Sequence, residues 1–157
     1  MNADIVRAAL DYDPSTGVFI RKSKNPRWFG KPAGTLVGSG YIYIHVAGRS
    51  IPAHRLAWLC VTGEMPRGHI DHIDGDPTNN RISNLRDVDR ATNLQNRRRP
   101  ERGNKSGFLG VVPNKRRWSA QLQVNGRAVH LGTFDTPALA HTAYVEAKRI
   151  HHPGNTL

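Results

Sequence analysis

Hydrophobic and polar positions alternate in two stretches of the first third of the chain. "GVFIRK" and "GYIYIHVAGRSIPAHR" show a period of two broken by glycine, which predicts a short β-meander with a hairpin turn at "AGRS". The period then lengthens in "HRLAWLCVTG". Leu56, Leu59 and Cys60 fall on one helical face, and Gly63 followed by Pro66 ends the helix. "GHIDHIDGDPTNNRISNLRDV" predicts a turn-rich hairpin, and "DRATNLQNRRR" a helix capped by Asp89, with arginines in its last turn and Pro100 beyond it. Further on, "GFLGVVPNKRRWSAQLQVNGRAVHLGTF" holds three strand-like runs, the last two joined by Asn-Gly, a strong short hairpin signal. "DTPALAHTAYVEAKRIHH" predicts a helix opened by Pro137 with an apolar stripe of Leu139, Ala143, Ala147 and Ile150. The expected class is α+β. The expected modules are an N-terminal β-rich basic segment (1–51), a central hairpin-and-helix unit (52–98), a basic linker (99–106), and a three-stranded antiparallel sheet with one packed helix (107–152).

Charge sharpens this picture. The chain has 157 residues, with 23 Lys and Arg against 12 Asp and Glu, a formal net charge of +11. An excess of this kind on a polar chain points to nucleic-acid phosphates, whose condensed counterions are released on binding. Its distribution is uneven: residues 1–50 carry +4, 51–96 carry −1, 97–103 carry +3 and 104–157 carry +5. The acidic dip coincides with "GHIDHIDGDPTNN", where two histidines, three aspartates and two asparagines occupy thirteen positions. A divalent cation working against phosphate needs such an island; a uniformly solvated surface does not. The single cysteine, Cys60, excludes an intrachain disulfide and any multi-cysteine zinc site. No apolar run approaches the ~18 residues of a membrane span, and "MNADIVRAALDYD" lacks the pattern of a signal peptide. The expectation is a cytoplasmic protein with no membrane partner.

The residues from 71 to 93 contain what phosphodiester hydrolysis requires: an oxygen ligand for a hard cation, a base for water, and a frame for both. Asp71 offers a carboxylate. His72 offers an imidazole that takes a proton near neutrality, Asn93 an amide oxygen in the opening turns of a helix, and Asn84 a brace for the intervening loop. Asp74 and Asp76 read as solvated turn acids, and their spacing from Asp71 excludes a calcium loop. His54 reads as a buried, hydrogen-bonded histidine and His69 as a phosphate or structural contact. One geometric condition applies. Neighbours on a regular strand face opposite ways, so Asp71 and His72 serve one phosphate only where the strand ends or twists.

"HRLAW", "IDHIDGDPTNNRISNLR" and "ATNLQNR" resemble the HNH endonucleases, in the branch common among phage and homing-type nucleases, over about residues 52 to 98. The resemblance implies a ββα-metal motif in which Asp71 and Asn93 hold magnesium or manganese, His72 activates water, Asn84 orients the loop and Asn80 has a structural role. Residues 105 to 152 resemble the AP-two type DNA-binding domain of plant ethylene-response factors, whose sheet enters the major groove. On that resemblance Arg117, Trp118, Gln121, Gln123, His130 and Thr133 lie on or beside the reading strands. Leu109, Val112 and His130 depart from the plant pattern, so guanine-rich specificity does not transfer. Lys115 and Arg116 are expected on phosphate, and Arg97, Arg98, Arg99 and Arg102 along the backbone between modules. The expected function is a magnesium-dependent endonuclease of double-stranded DNA, nicking or homing-type, acting as a monomer in a host cytoplasm. The alternatives are a non-catalytic DNA-binding protein built on an HNH scaffold and an RNA-directed nuclease.

Overall fold

The structure is a computed structural model and describes residues 1–156. It is α+β, with small antiparallel sheets and short helices, and divides into two compact units, one ending at Arg90 and the other beginning at Ala91.

The first unit opens with a helix the hydrophobic pattern did not announce, α1 (Ala3–Ala9). Asn2 caps it by accepting the Asp4 amide at 2.8 Å, and Val6 is its fully buried residue. Hairpin β1 (Leu10–Asp13) and β2 (Val18–Arg21) follows, then the three-stranded sheet of β3 (Thr35–Leu36), β4 (Ile42–Val46) and β5 (Arg49–Pro52). The β4–β5 turn is Ala47–Gly48, both at positive φ, inside the expected "AGRS". Helix α2 (Ala53–Thr62) ends in a left-handed Gly63, as its sequence predicts. Leu56 and Leu59 lie on its buried face, joined by Ala53 and Ala57. Strands β6 (His69–His72) and β7 (Leu85–Val88) pair antiparallel, with a 3-10 turn at Ile82–Asn84 before β7.

One core holds these elements together. Val6, Leu10, Phe19, Ile44 and Val46 pack in the same cluster as Leu56, Leu59, Ile70 and Leu85. The expected module 1–51 is therefore not a separate compact body. Its strands are too short to bury a core alone, and α2 and β6 complete it.

Helix α3 (Arg90–Gln95) spans the division and stops before the arginines expected in its last turn. Asn96 is buried and receives the Thr156 hydroxyl, while Arg98 Nη2 donates to the Thr156 carbonyl (2.9 Å) and hydroxyl (2.6 Å). These tertiary partners draw the chain out of the helix, and they tie the start of the expected linker to the C-terminal end of the second unit.

That unit is built on the sheet β8 (Val111–Asn114), β9 (Arg117–Val124), β10 (Arg127–Phe134), with β9 central, and on α4 (Pro137–His151). Asn125 and Gly126, both at positive φ, turn β9 into β10. The buried face of α4 follows the expected stripe only at Ala143 and Ala147, which pack against the core. Ala140, Tyr144 and Lys148 are buried, while Leu139 is 54% and Ile150 78% exposed. Tyr144 decides this register: its ring lies against Gly110, where a Cβ would come within 1.9 Å of it. One turn on, Lys148 buries its stem and donates to the Arg97 carbonyl at 2.7 Å. Burial pushes that ammonium down to about 8.

Candidate active site

The site residues of the first unit lie where β6 runs out. Asp71 and His72 are its last two residues, each only 5% exposed, and the chain leaves the strand immediately beyond them. Asp71 is paired across the hairpin with Arg86, whose Nη2 and Nε lie 2.7 and 2.8 Å from Asp71 Oδ2. The guanidinium compensates a carboxylate that would otherwise be costly to bury.

His72 is paired in register with Leu85. Its Nε2 lies 3.3 Å from Asn80 Oδ1. Asn80 is 2% exposed, and its Nδ2 donates to the Thr78 carbonyl at 3.2 Å, which directs Oδ1 toward the imidazole as an acceptor. An acceptor there selects the tautomer protonated at Nε2 and leaves the Nδ1 lone pair as the basic one. Burial lowers the His72 pKa against the opposing pull of Asn80, Asp74 and Asp71, so the ring is neutral at neutral pH.

The loop between the strands is held by its own polar side chains. Asn84 Nδ2 donates to Asp74 Oδ1 and to the Asn79 carbonyl, both at 2.9 Å, and Asn84 Oδ1 accepts the Asp74 amide at 3.0 Å. Asp74 also accepts Asn79 Nδ2 at 2.6 Å, and Asp76 accepts the Thr78 amide and hydroxyl. Asp74 and Asp76 thus fasten the turn; hydrogen bonds from their neighbours lower both carboxyl pKa values, in Asp74 against the larger effect of burial.

Two rings line His72 that the sequence reading did not connect to it. His54, near the start of α2, stands edge-to-face on it with centroids 5.2 Å apart, and Tyr41 lies 5.3 Å from His54 and 6.0 Å from His72. His54 is buried as expected, but its Nδ1 finds no hydrogen-bond partner among the described residues. Burial depresses its pKa to about 4. His69 is exposed at the start of β6.

Among the described residues no group of three or more His, Cys, Asp or Glu side chains is arranged to hold a metal. The donor set the sequence suggests is of another kind, one carboxylate and one amide. Asp71 fits a hard cation in chemistry, while Asn93 belongs to α3 in the other unit.

In the second unit, cross-strand register sorts the reading candidates by face. Ala120, Leu122, Val111 and the partly buried Trp118 and Phe134 pack toward α4. Trp118, expected among the DNA contacts, is a core residue here. Ser119, Gln121 and Gln123 pair with Thr133, His130 and Ala128 on the opposite face, where Ser119 Oγ lies 2.9 Å from His130 Nδ1. Arg117, on the same face, pairs with Asp135 at 2.8 Å, and Lys115 and Arg116 form the exposed β8–β9 turn. Arg97, Arg99 and Arg102 are exposed and Arg98 half-buried.

Comparison with known proteins bears on the segment that holds these residues. A family model described as HNH endonuclease matches residues 52–95, which begin at the end of β5 and run through α3. Protein 3.8 of Escherichia phage T7 is 30% identical over 101 residues, covering 62% of this chain and 83% of that protein. A solved structure titled as DNA binding and cleavage by the HNH homing endonuclease I-HmuI is 26% identical with a TM-score of 0.44; the match covers 55% of this chain and half the length of that one. The chain carries an HNH endonuclease domain and is a nuclease. It belongs to the same family as T7 Protein 3.8.

Proposed function

We infer that the protein is a divalent-metal-dependent endonuclease of double-stranded DNA in which His72 is the general base. The observation that carries this reading is the environment of His72: a buried, neutral imidazole, anchored through Nε2 by Asn80, next to a buried carboxylate at the end of a strand. Nδ1 of His72 removes a proton from the water that attacks phosphorus in line. Asn84 keeps the loop rigid, so that the base and Asp71 hold their positions during the attack. Asp71 would hold a divalent ion, with Asn93 the second ligand that the sequence motif suggests, and magnesium or manganese would supply positive charge against the charge that develops on the phosphate oxygens. The products carry 5′-phosphate and 3′-hydroxyl ends.

Affinity for DNA has a source in each unit. Between Asp13 and Glu64 there is no acidic residue, while Arg21, Lys22, Lys24, Arg27, Lys31, Arg49 and Arg55 fall in that stretch. In the second unit, the face of the sheet away from α4 presents Arg117, Gln121, Gln123, His130 and Thr133, with Lys115 and Arg116 at its turn. Glutamines spaced two apart on one strand suit hydrogen bonding to base edges, in the manner of the AP-two domains this segment resembles. The exposed Arg97, Arg99 and Arg102 are assigned to phosphates, whereas the half-buried Arg98, expected there too, is engaged with Thr156. With one motif per chain, a monomer nicks.

Incubation of supercoiled plasmid with magnesium, with manganese or with EDTA tests this reading. Relaxation in the first two and none in the third is expected; binding without cleavage in all three marks a non-catalytic protein. Preferential cleavage of structured RNA in a competition marks an RNA-directed nuclease.

A further inference from the structure

Of the three rings clustered at the site, Tyr41, His54 and His72, only His72 has a part in the chemistry assigned so far. Asn80 anchors His72 through Nε2. The edge-to-face contact bears on the plane of the ring: the His54 and His72 planes meet at 83° with centroids 5.2 Å apart. Tyr41, 37% exposed, is tilted against both rings and backs the pair from the surface side.

What His54 offers is its ring, since its Nδ1 makes no hydrogen bond among the described residues. A buried nitrogen without a partner costs about 1–3 kcal/mol, so hydrogen bonding there is not what keeps this side chain in place. At neutral pH the ring is uncharged, because burial holds its pKa near 4, and it sets no second cation beside the base.

We propose that His54, backed by Tyr41, is a positioning residue that fixes the plane of the His72 imidazole so that its basic nitrogen is aimed at the attacking water. The proposal rests on the assignment of His72 as base. It predicts that a flat ring at position 54 preserves turnover and a branched aliphatic of similar bulk does not.

The test compares His54→Phe and His54→Leu in the full chain. The readouts are cleavage kinetics and the His72 ring Cε1–Hε1 resonance, assigned by its loss in His72→Ala. His54→Phe is expected to keep kcat within about threefold. His54→Leu is expected to lose about 10- to 100-fold in kcat with KM for DNA unchanged, the scale of a sub-ångström to 1 Å misplacement, and to move the His72 resonance. Tyr41→Leu, at a half-exposed position that tolerates change, is expected to lower kcat about three- to tenfold, which keeps the test decisive if a position-54 variant does not fold. Wild-type kcat and an unmoved His72 resonance in His54→Leu, or in Tyr41→Leu where that variant alone folds, overturn the proposal. A moved resonance in a chain whose wild type cleaves no nucleic acid supports the positioning and refutes the nuclease reading instead.

Discussion

Asn80 Oδ1 stands 3.3 Å from His72 Nε2, and an acceptor at that position favours the tautomer protonated there. The remainder of the Asn80 amide is committed to the Thr78 carbonyl, and its own carbonyl receives the Tyr12 hydroxyl at 2.8 Å. The orientation of the base is therefore built into the loop and anchored to β1.

Asn80→Ala is expected to lower kcat by about 10- to 100-fold, since it removes the tautomer-selecting acceptor. It also leaves the Thr78 carbonyl without this donor, at about 1 kcal/mol of stability. Asn80→Asp keeps an acceptor toward Nε2 and is expected to retain more activity than the alanine variant. Equal loss in both would show that the acceptor is immaterial. Steady-state cleavage beside urea unfolding separates the two effects.

Arg86→Leu leaves Asp71 buried without its cation. The expected cost is about 1–3 kcal/mol, below the 3–5 of a fully buried pair because the Arg86 side chain is 28% exposed. Chemical denaturation measures it. A midpoint equal to wild type would mean that Asp71 does not depend on the pair.

Acidification tests the burial of the histidines. An unfolded histidine titrates near 6.5 and His54 in the fold near 4, so between these values the unfolded chain binds a proton that the folded chain does not. Stability is full above pH 6.5 and falls as pH drops toward 4, by up to about 3 kcal/mol at 1.36 kcal/mol per pKa unit. His72, shifted the same way, adds to the slope. Asp13, Asp74 and Asp76, whose pKa values are lowered, withdraw their contribution only below their unfolded value of 3.8. Denaturant midpoints across pH 7 to 4 are expected to show the loss, and His54→Phe to flatten it.

Gly110→Ala is expected to destabilise the second unit by roughly 2–4 kcal/mol, the range of a severe core clash. Gly110 sits at φ 69° with the Tyr144 ring where a Cβ would go. Gly126→Ala, at φ 77° but with nothing within 4 Å, is expected to cost about 1–2 kcal/mol from backbone strain alone. Thermal unfolding of the two variants compares crowding with strain.

Much of this was legible in the sequence, for identifiable reasons. Asn125–Gly126 and Gly63 are positions where backbone conformation leaves few choices, and the hairpin and helix end fall on them. The face of α4 was read only in part: Ala143 and Ala147 pack as expected, but the Tyr144 ring against Gly110 and the buried stem of Lys148, whose ammonium donates to the Arg97 carbonyl, leave Leu139 and Ile150 outside. α1 escaped notice because its signals, an Asn2 cap and two buried positions, are weak in seven residues. At the candidate site, the placing of Asp71, His72 and Asn84 on one hairpin and its loop was readable from residue type and local spacing. The contacts of His54 and Tyr41 with His72 were not, since 18 and 31 positions separate them and only the shared core brings them together.

The most direct test of the central claim pairs cleavage with binding for His72→Ala on duplex DNA. The predicted result is a loss of strand scission of at least about 10³-fold, with a dissociation constant within about threefold of wild type and residual products still ending in 5′-phosphate. Cleavage by His72→Ala at the wild-type rate would contradict the assignment of His72 as the base.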